Sequence, residues 1–381
     1  MAIIDRIKHK GPQVEARIRV GRRTHQVSFS ASQPLSGAAA EALLLLALPA
    51  AMRSREALIL EDAVSPRLLA AIPAVQDIYH SWDRDLQPVE VRAPQRDSAG
   101  RHAPRPAGQV ALAFTGGVDS FYSALRTADA ALLYVHGLDI PLANQRLRGR
   151  VRERLAWAAS ELGRPLLEME TNLRDFSDRY LDWHLAFGGA LAACALLRLG
   201  DFAEFGIPAG QSYAFLQPDG AHPVLNPLFS TEDLAIRTLG CEARRVDKVQ
   251  AIASHPVVHG ALRVCWENRG DAYNCGVCEK CLRTMAAMDI FGGLERCSTF
   301  AVPLDYGRLA RAVAPHASLD MFVRDNLEAA RLHGARPELI ESLEQALDPG
   351  RIRVFRTLRA VVPRRLRNLH YRIVHRSSAR R

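Results

Sequence analysis

Four cysteines stand close together in this sequence, Cys265, Cys275, Cys278 and Cys281, with the spacing C-x9-C-x2-C-x2-C. Two successive C-x-x-C steps let a tight knuckle turn three sulfurs inward, with Gly276 where the backbone must come close. Cys265 arrives as the fourth on residues 262–265, which read as a strand. Four thiolates are the donor set of a closed tetrahedral Zn²⁺ site. The same set serves Fe–S clusters, and a lone C-x-x-C can be redox-active. Structural zinc is the preferred reading and Fe–S its main rival.

The second chemical signal is Thr115-Gly116-Gly117-Val118-Asp119-Ser120, between an apolar run (110–114) and a helical segment (121–127). Two glycines let the backbone turn sharply and bring its N–H groups close to a ligand. With the unpaired N–H groups of the following helical turn they form a pocket for an anion, to which Ser120 adds a hydroxyl. The same residues also suit a plain tight turn, with Asp119 and Ser120 capping the helix. No G-x-x-x-x-G-K-[ST] occurs, which excludes a Walker-type loop.

Around these signals the chain alternates short apolar runs with helical segments. Strands are expected at 110–114, 131–135, 165–169 and 202–207, with helices at 146–162 and 183–199 between them. This pattern indicates an α/β fold, a Rossmann-like doubly wound parallel sheet with helices on both faces. Ligands of such sheets sit at the carboxyl ends of the strands, where Asp139 follows the second one. A long segment after the fourth strand reads as a substrate lid, which makes Gln211, Ser212 and His222 candidates for substrate contact. Ser230-Thr-Glu-Asp reads as a helix cap followed by first-turn acids, with Arg244, Arg245 and Lys248 farther along that helix.

Residues 14–29 alternate with period two across a glycine turn and read as a β-hairpin. A buried helix (38–52), a short strand (57–60), a helix started by Ser65 and Pro66, and a strand near 89–91 follow. The expected organisation is a small α+β domain (1–92), a Pro/Arg/Gly/Ser-rich linker (93–108), a nucleotide-type domain (109–300) holding the metal site at 265–281, and a helical C-terminal region (301–381).

The composition, 48% hydrophobic and 24% charged over 381 residues, is that of a globular protein with a sizeable core. The longest apolar stretch (37–52) contains Glu41 and Pro49 and falls short of the ~20 residues of a membrane span. Seven cysteines, an odd number with four clustered, argue for reduced thiols or a metal over a disulfide framework. With no apolar signal core near the start, a cytoplasmic location is expected. The net charge of +9 is uneven, because residues 351–381 hold eleven arginines and no acid. That tail suits RNA phosphates or an anionic membrane, or an amphipathic helix docked on a near-neutral body.

In its strand–loop–helix setting, residues 115–120 resemble the PP-loop of the ATP pyrophosphatase superfamily, whose signature is Ser-Gly-Gly-x-Asp-Ser. The match is at Gly116, Gly117, Asp119 and Ser120, with Thr115 replacing the first serine. The cysteine spacing downstream of this loop is similar to that of the 7-cyano-7-deazaguanine synthase family of the queuosine pathway. The resemblance covers residues 108–295 and leaves the first hundred and last eighty residues unexplained. It implies an adenine nucleotide alpha hydrolase-like fold with ATP, Mg²⁺ and structural Zn²⁺ as cofactors.

The implied chemistry is cleavage of ATP to AMP and pyrophosphate. Thr115, Gly116, Gly117, Val118, Asp119 and Ser120 would hold ATP, with Asp119 and Ser120 catalytic and Asp139 near ribose or base. One or two of Arg244, Arg245, Lys248, Lys280 and Arg283 would balance charge on pyrophosphate. The expected activity is carbon–nitrogen ligation on an adenylated carboxylate, with a small-molecule, protein or RNA acceptor. Two other readings stay open: sulfur transfer to an RNA base, and a non-catalytic nucleotide- and zinc-binding module. Cys194 reads as a small core hydrophobe, and Cys241 and Cys297 carry no assigned role.

Overall fold

The computed structural model describes residues 1–97, 110–197, 202–312, 320–350, 352–354 and 357. Most of the expected linker, 98–108, and nearly all of the arginine-rich tail lie outside the described residues. The chain begins with β1 (Ala2–Lys10), β2 (Gln13–Val20), β3 (Arg23–Ala31), α1 (Ala39–Ser54), β4 (Leu58–Leu60), α2 (Pro66–Trp82) and β5 (Val91–Arg92). Next come β6 (Val110–Ala113), α3 (Val118–Arg126), β7 (Ala131–His136), α4 (Gln145–Glu161), β8 (Leu166–Thr171), α5 (Leu173–Ser177), α6 (Trp183–Leu196) and β9 (Glu204–Pro208). The remainder is β10 (Ala235–Leu239), α7 (Arg245–Ile252), α8 (Pro256–Ala261), α9 (Glu279–Ile290), α10 (Tyr306–Arg311), α11 (Asp320–Leu332) and α12 (Pro337–Ala346).

The ten strands of the described residues form one sheet in the order β10-β9-β6-β7-β8-β3-β2-β1-β4-β5, and with the helices make an α/β fold. The run from β10 to β8 is parallel, the joins β8-β3-β2-β1 are antiparallel, and β4 and β5 again lie parallel to β1. Residues 1–92 therefore do not hold a sheet of their own. β3 pairs with β8 through Phe29–Thr171, Ser30–Glu170 and Ala31–Met169, which satisfies backbone groups that an open edge would leave unpaired.

The chain divides into two compact units. The first, residues 1–114, 123–138 and 164–241, contains the sheet and the larger apolar core. In it, α1 is buried from Ala39 to Met52, as its nearly unbroken Leu/Ala composition requires. The one acid of that stretch, Glu41, accepts from Ser65 N–H at 2.9 Å and from Arg96 Nε at 2.8 Å. Ser65 caps α2 by accepting from Leu68 N–H, with Pro66 in the first turn.

The second unit, residues 115–122, 139–163 and 242–381, has its own core, where Leu282 and Ala286 of α9 meet Leu309, Val323, Leu339 and Leu343. The described helices α10, α11 and α12 thus share a core with α9, and the expected boundary at 300 does not separate them.

Two local expectations are corrected and one strand is new. Residues 230–233 precede strand β10, not a helix: Thr231 Oγ1 accepts from the N–H groups of Asp233 and Leu234, and Ser230 Oγ from that of Ile236. These hydroxyls close a turn in place of a cap. Residues 262–265 follow α8 and join no strand ladder. β1 was not anticipated, because its register shifts between Asp5 and Lys8, with Arg6 at φ 52°, and breaks the alternation. Among the described residues, no helix is long and apolar enough to cross a membrane.

Candidate functional site

The glycine loop, the cysteine cluster and the basic residues singled out near them all belong to the second unit. After β6 the chain turns at Gly116, whose φ of +72° strains any side chain. A Cβ there would also stand 2.9 Å from Leu155 Cδ2 and 3.0 Å from the Ala261 carbonyl. Gly117 has ordinary space around it, with Thr115 Oγ1 nearest at 3.4 Å. The Gly117 carbonyl accepts from Phe121 N–H at 2.9 Å and from the Ser120 hydroxyl at 3.0 Å. Ser120 therefore holds the loop closed, and the first-turn N–H groups of Val118, Asp119 and Ser120 have no intrahelical acceptor. From the other side, Arg263 N–H donates to the Gly116 carbonyl at 2.7 Å.

Asp119 is the focus of a buried cationic group. Arg245, the first residue of α7, pairs with Asp119 Oδ2, and Lys248, one turn later and fully buried, lies 3.7 Å from Oδ1. Burial alone would raise the Asp119 carboxyl, but Arg245, Lys248 and Lys280 outweigh it and hold it below the usual carboxylate range. Lys280 and Arg283 come from α9. Arg283 Nε lies 2.7 Å from Glu279 Oε1, an ion pair without hydrogen-bond alignment, and both Nε and Nη1 are buried without a hydrogen-bond partner. Lys280 has no ion pair among the described residues, and burial beside Arg245 pushes its ammonium below the ordinary lysine range. Arg244 takes no part: it turns to Asp247 and Glu328.

A further arginine, Arg263, was missed in the sequence. It is 5% exposed, donates from Nη2 to Asn268 Oδ1 at 2.6 Å, leaves Nε without a partner, and has no carboxylate partner among the described residues. Asn268 in turn donates to the Asp139 carbonyl at 2.8 Å, so Asp139 is held by its backbone while its side chain is half-buried. No motif marks Arg263 or Asn268; only their closeness to Cys265 could have drawn notice.

The four cysteines converge as their spacing predicts, with all four sulfurs within 4.8 Å of one another. Cys275 and Cys281 Sγ lie 3.9 Å apart, close to the ~3.8 Å edge of a tetrahedron with 2.3 Å metal–sulfur bonds. Cys278 N–H points at Cys275 Sγ at 3.3 Å and Cys281 N–H at Cys278 Sγ at 3.4 Å, a donor arrangement that favours thiolates. Hydrogen bonds from Cys275, Cys278 and Cys281 hold the Cys265 thiol far below the ordinary cysteine range. Gly276 has φ +67°, and a Cβ there would come within 2.2 Å of Val302 Cγ2. The donor set fits a tetrahedral metal ion. Cys194, Cys241 and Cys297 are buried outside the cluster, and burial pushes the Cys194 thiol up to about 12.

Comparison with protein-family models, curated proteins and solved structures gave no match. The site is therefore read from its own chemistry.

Gln211, Ser212 and His222 lie in the first unit, on the loop between β9 and β10. Gln211 Oε1 accepts from Gln217 N–H at 2.6 Å, and His222 Nδ1 accepts from Val224 N–H at 3.2 Å. Both side chains shape the loop itself. Ser212 Oγ is buried with no partner among the described residues. The His222 ring meets the edge of Trp82 at 5.2 Å, and burial lowers its basicity.

Proposed function

We propose that the second unit binds the polyphosphate of ATP and that the protein is an adenylating carbon–nitrogen ligase, similar in chemistry to the 7-cyano-7-deazaguanine synthase family. The observation that carries this reading is the unpaired positive charge beside the glycine loop. Asp119 already pairs with Arg245 and Lys248, whereas Lys280, which feels Asp139 and Asp119 only from farther off, and Arg263 form no ion pair among the described residues. Buried cations without counter-charge are costly unless a ligand brings an anion. The N–H groups of Val118–Ser120, which have no acceptor within their own helix, stand at the start of α3.

In this reading the loop 115–120 holds the pyrophosphate part of ATP, and Asp139 faces ribose or base. An oxygen of the acceptor carboxylate attacks the α-phosphorus, and the bond to the bridging oxygen breaks. Its electron pair leaves on pyrophosphate, whose growing charge Lys280, Arg245 and Arg283 offset. The nitrogen donor then attacks the acyl carbon and loses a proton as AMP departs. Mg²⁺ accompanies ATP. Zn²⁺ held by Cys265, Cys275, Cys278 and Cys281 would supply no reacting group and would act on the fold. Convergence of all four thiols on one point favours this account over sulfur transfer, because a metal-bound thiolate is not free to carry sulfur.

The test is incubation of the protein with ATP, Mg²⁺ and a panel of carboxylates and amine donors, followed by ³¹P NMR. AMP and pyrophosphate in equal amounts are expected. ADP and phosphate as the products would refute the proposal.

A further inference from the structure

We infer that the C-terminal helix α11 completes the anion site and that Phe322 is a positioning residue for its arginines; this rests on the anion-binding reading above. Phe322 is 6% exposed. The Arg283 guanidinium carbon stands 4.4 Å from its ring centroid and that of Arg245 stands 5.8 Å away. Two like charges share one aromatic ring, whose negative face attracts both. One turn farther along α11, Asn326 Nδ2 donates to the Arg283 carbonyl at 2.8 Å. Residues four apart lie on one helix face, so α11 grips Arg283 by its backbone and by its side chain at once.

The arrangement leaves Arg283 with a defined aim. Glu279 stands 2.7 Å from Nε as a counter-charge, the ring supports the guanidinium, and both Nε and Nη1 remain buried with no hydrogen-bond partner. Arg245 is fixed at one end by Asp119 and supported by the same ring. A planar guanidinium held in this way keeps its donors directed, whereas a free one must be ordered when the anion arrives. α11, which the cysteine and glycine motifs leave unexplained, thus contributes a working part of the site.

The test uses the full, metal-loaded protein and calorimetric titration with inorganic pyrophosphate, beside thermal melting. Phe322→Leu, which keeps apolar bulk and removes the ring, should weaken pyrophosphate binding about tenfold. Phe322→Trp, which keeps an aromatic face, should stay within about threefold of the parent. Phe322→Met serves as a second ring-free variant if the leucine form does not fold. NMR of the Arg283 Hδ protons should show an upfield ring-current shift that disappears in the ring-free variants. Equal binding by parent and ring-free variants, or equal losses with tryptophan and leucine, overturns the positioning role alone. A parent protein that takes up no pyrophosphate overturns the anion site itself, and this inference with it.

Discussion

The backbone N–H of Arg263 donates to the carbonyl of Gly116 at 2.7 Å, two residues before the first cysteine of the cluster. Asn274, one residue before the second cysteine, accepts from the N–H groups of Val264 and Cys265 at 2.8 and 3.1 Å. It also donates to the Leu262 carbonyl at 2.8 Å. The segment leaning on the glycine loop is therefore strapped by Asn274, a neighbour of one clustered cysteine, to the backbone beside another. Metal removal should loosen the loop as well as the knuckle. Hydrogen exchange of peptides covering residues 114–122 should speed up after chelation and recover when zinc is restored. Unchanged exchange there, in protein shown to have lost its metal, would disprove the coupling.

The two glycines of the loop should respond differently to alanine. Gly116→Ala forces a side chain into positive φ and into contact with Leu155 and the Ala261 carbonyl, and it should cost on the order of 1–3 kcal/mol of stability. Gly117→Ala has room, so the fold should stay close to the parent in melting temperature. In the proposed function its methyl group stands where phosphate oxygens approach the N–H groups, and pyrophosphate binding should fall at least tenfold. A Gly117→Ala protein that binds as the parent does contradicts that placement.

How much of this could be read beforehand follows from the range of the contacts. The cysteine knuckle was legible because three of its ligands lie within seven residues, where spacing alone sets geometry. The glycine loop was legible from the apolar run before it and the helix after it. Arg245, Lys280 and Arg283 could be named as candidates, but their arrival at Asp119, 126 residues from Arg245 in sequence, is a tertiary event that no local pattern encodes. Phe322 was not legible at all, since one aromatic on an amphipathic helix looks like any core residue. β10 was hidden because Ser230 and Thr231 carry the chemistry of a cap and use it to close a turn.

Lys280 offers a separation of stability from function. Its half-buried side chain has no ion pair among the described residues and sits beside Arg245 and Arg283, with Asp139 and Asp119 only partly offsetting them. Lys280→Met removes an unfavourable charge and keeps the stem, so the melting temperature should rise, by roughly 1–3 °C. The same change should lower pyrophosphate affinity by about tenfold or more. If melting temperature and affinity fall together, Lys280 is a structural residue with an unrecognised partner.

Asp325 on α11 sets a pH dependence for the docking of that helix. Burial pushes its carboxyl from 3.8 up to about 6, Arg244 opposes the shift, and Asp247 and Glu328 reinforce it. Arg244 Nη1 lies 3.8 Å from Asp325 Oδ1, and Asp325 Oδ2 is buried with no hydrogen-bond partner. Because the folded carboxyl titrates above the unfolded one, its contribution to stability is fully present below about pH 4 and is lost as pH rises through about 6. Partial solvent screening limits the effect to on the order of 1 kcal/mol. Asp325→Asn should therefore melt higher than the parent at pH 7.5, and the gap should close as pH falls to 5. Arg244 keeps Asp247 and Glu328 as partners in that variant, so its own charge remains satisfied. Parallel melting curves for parent and variant across this range would show that Asp325 does not titrate there.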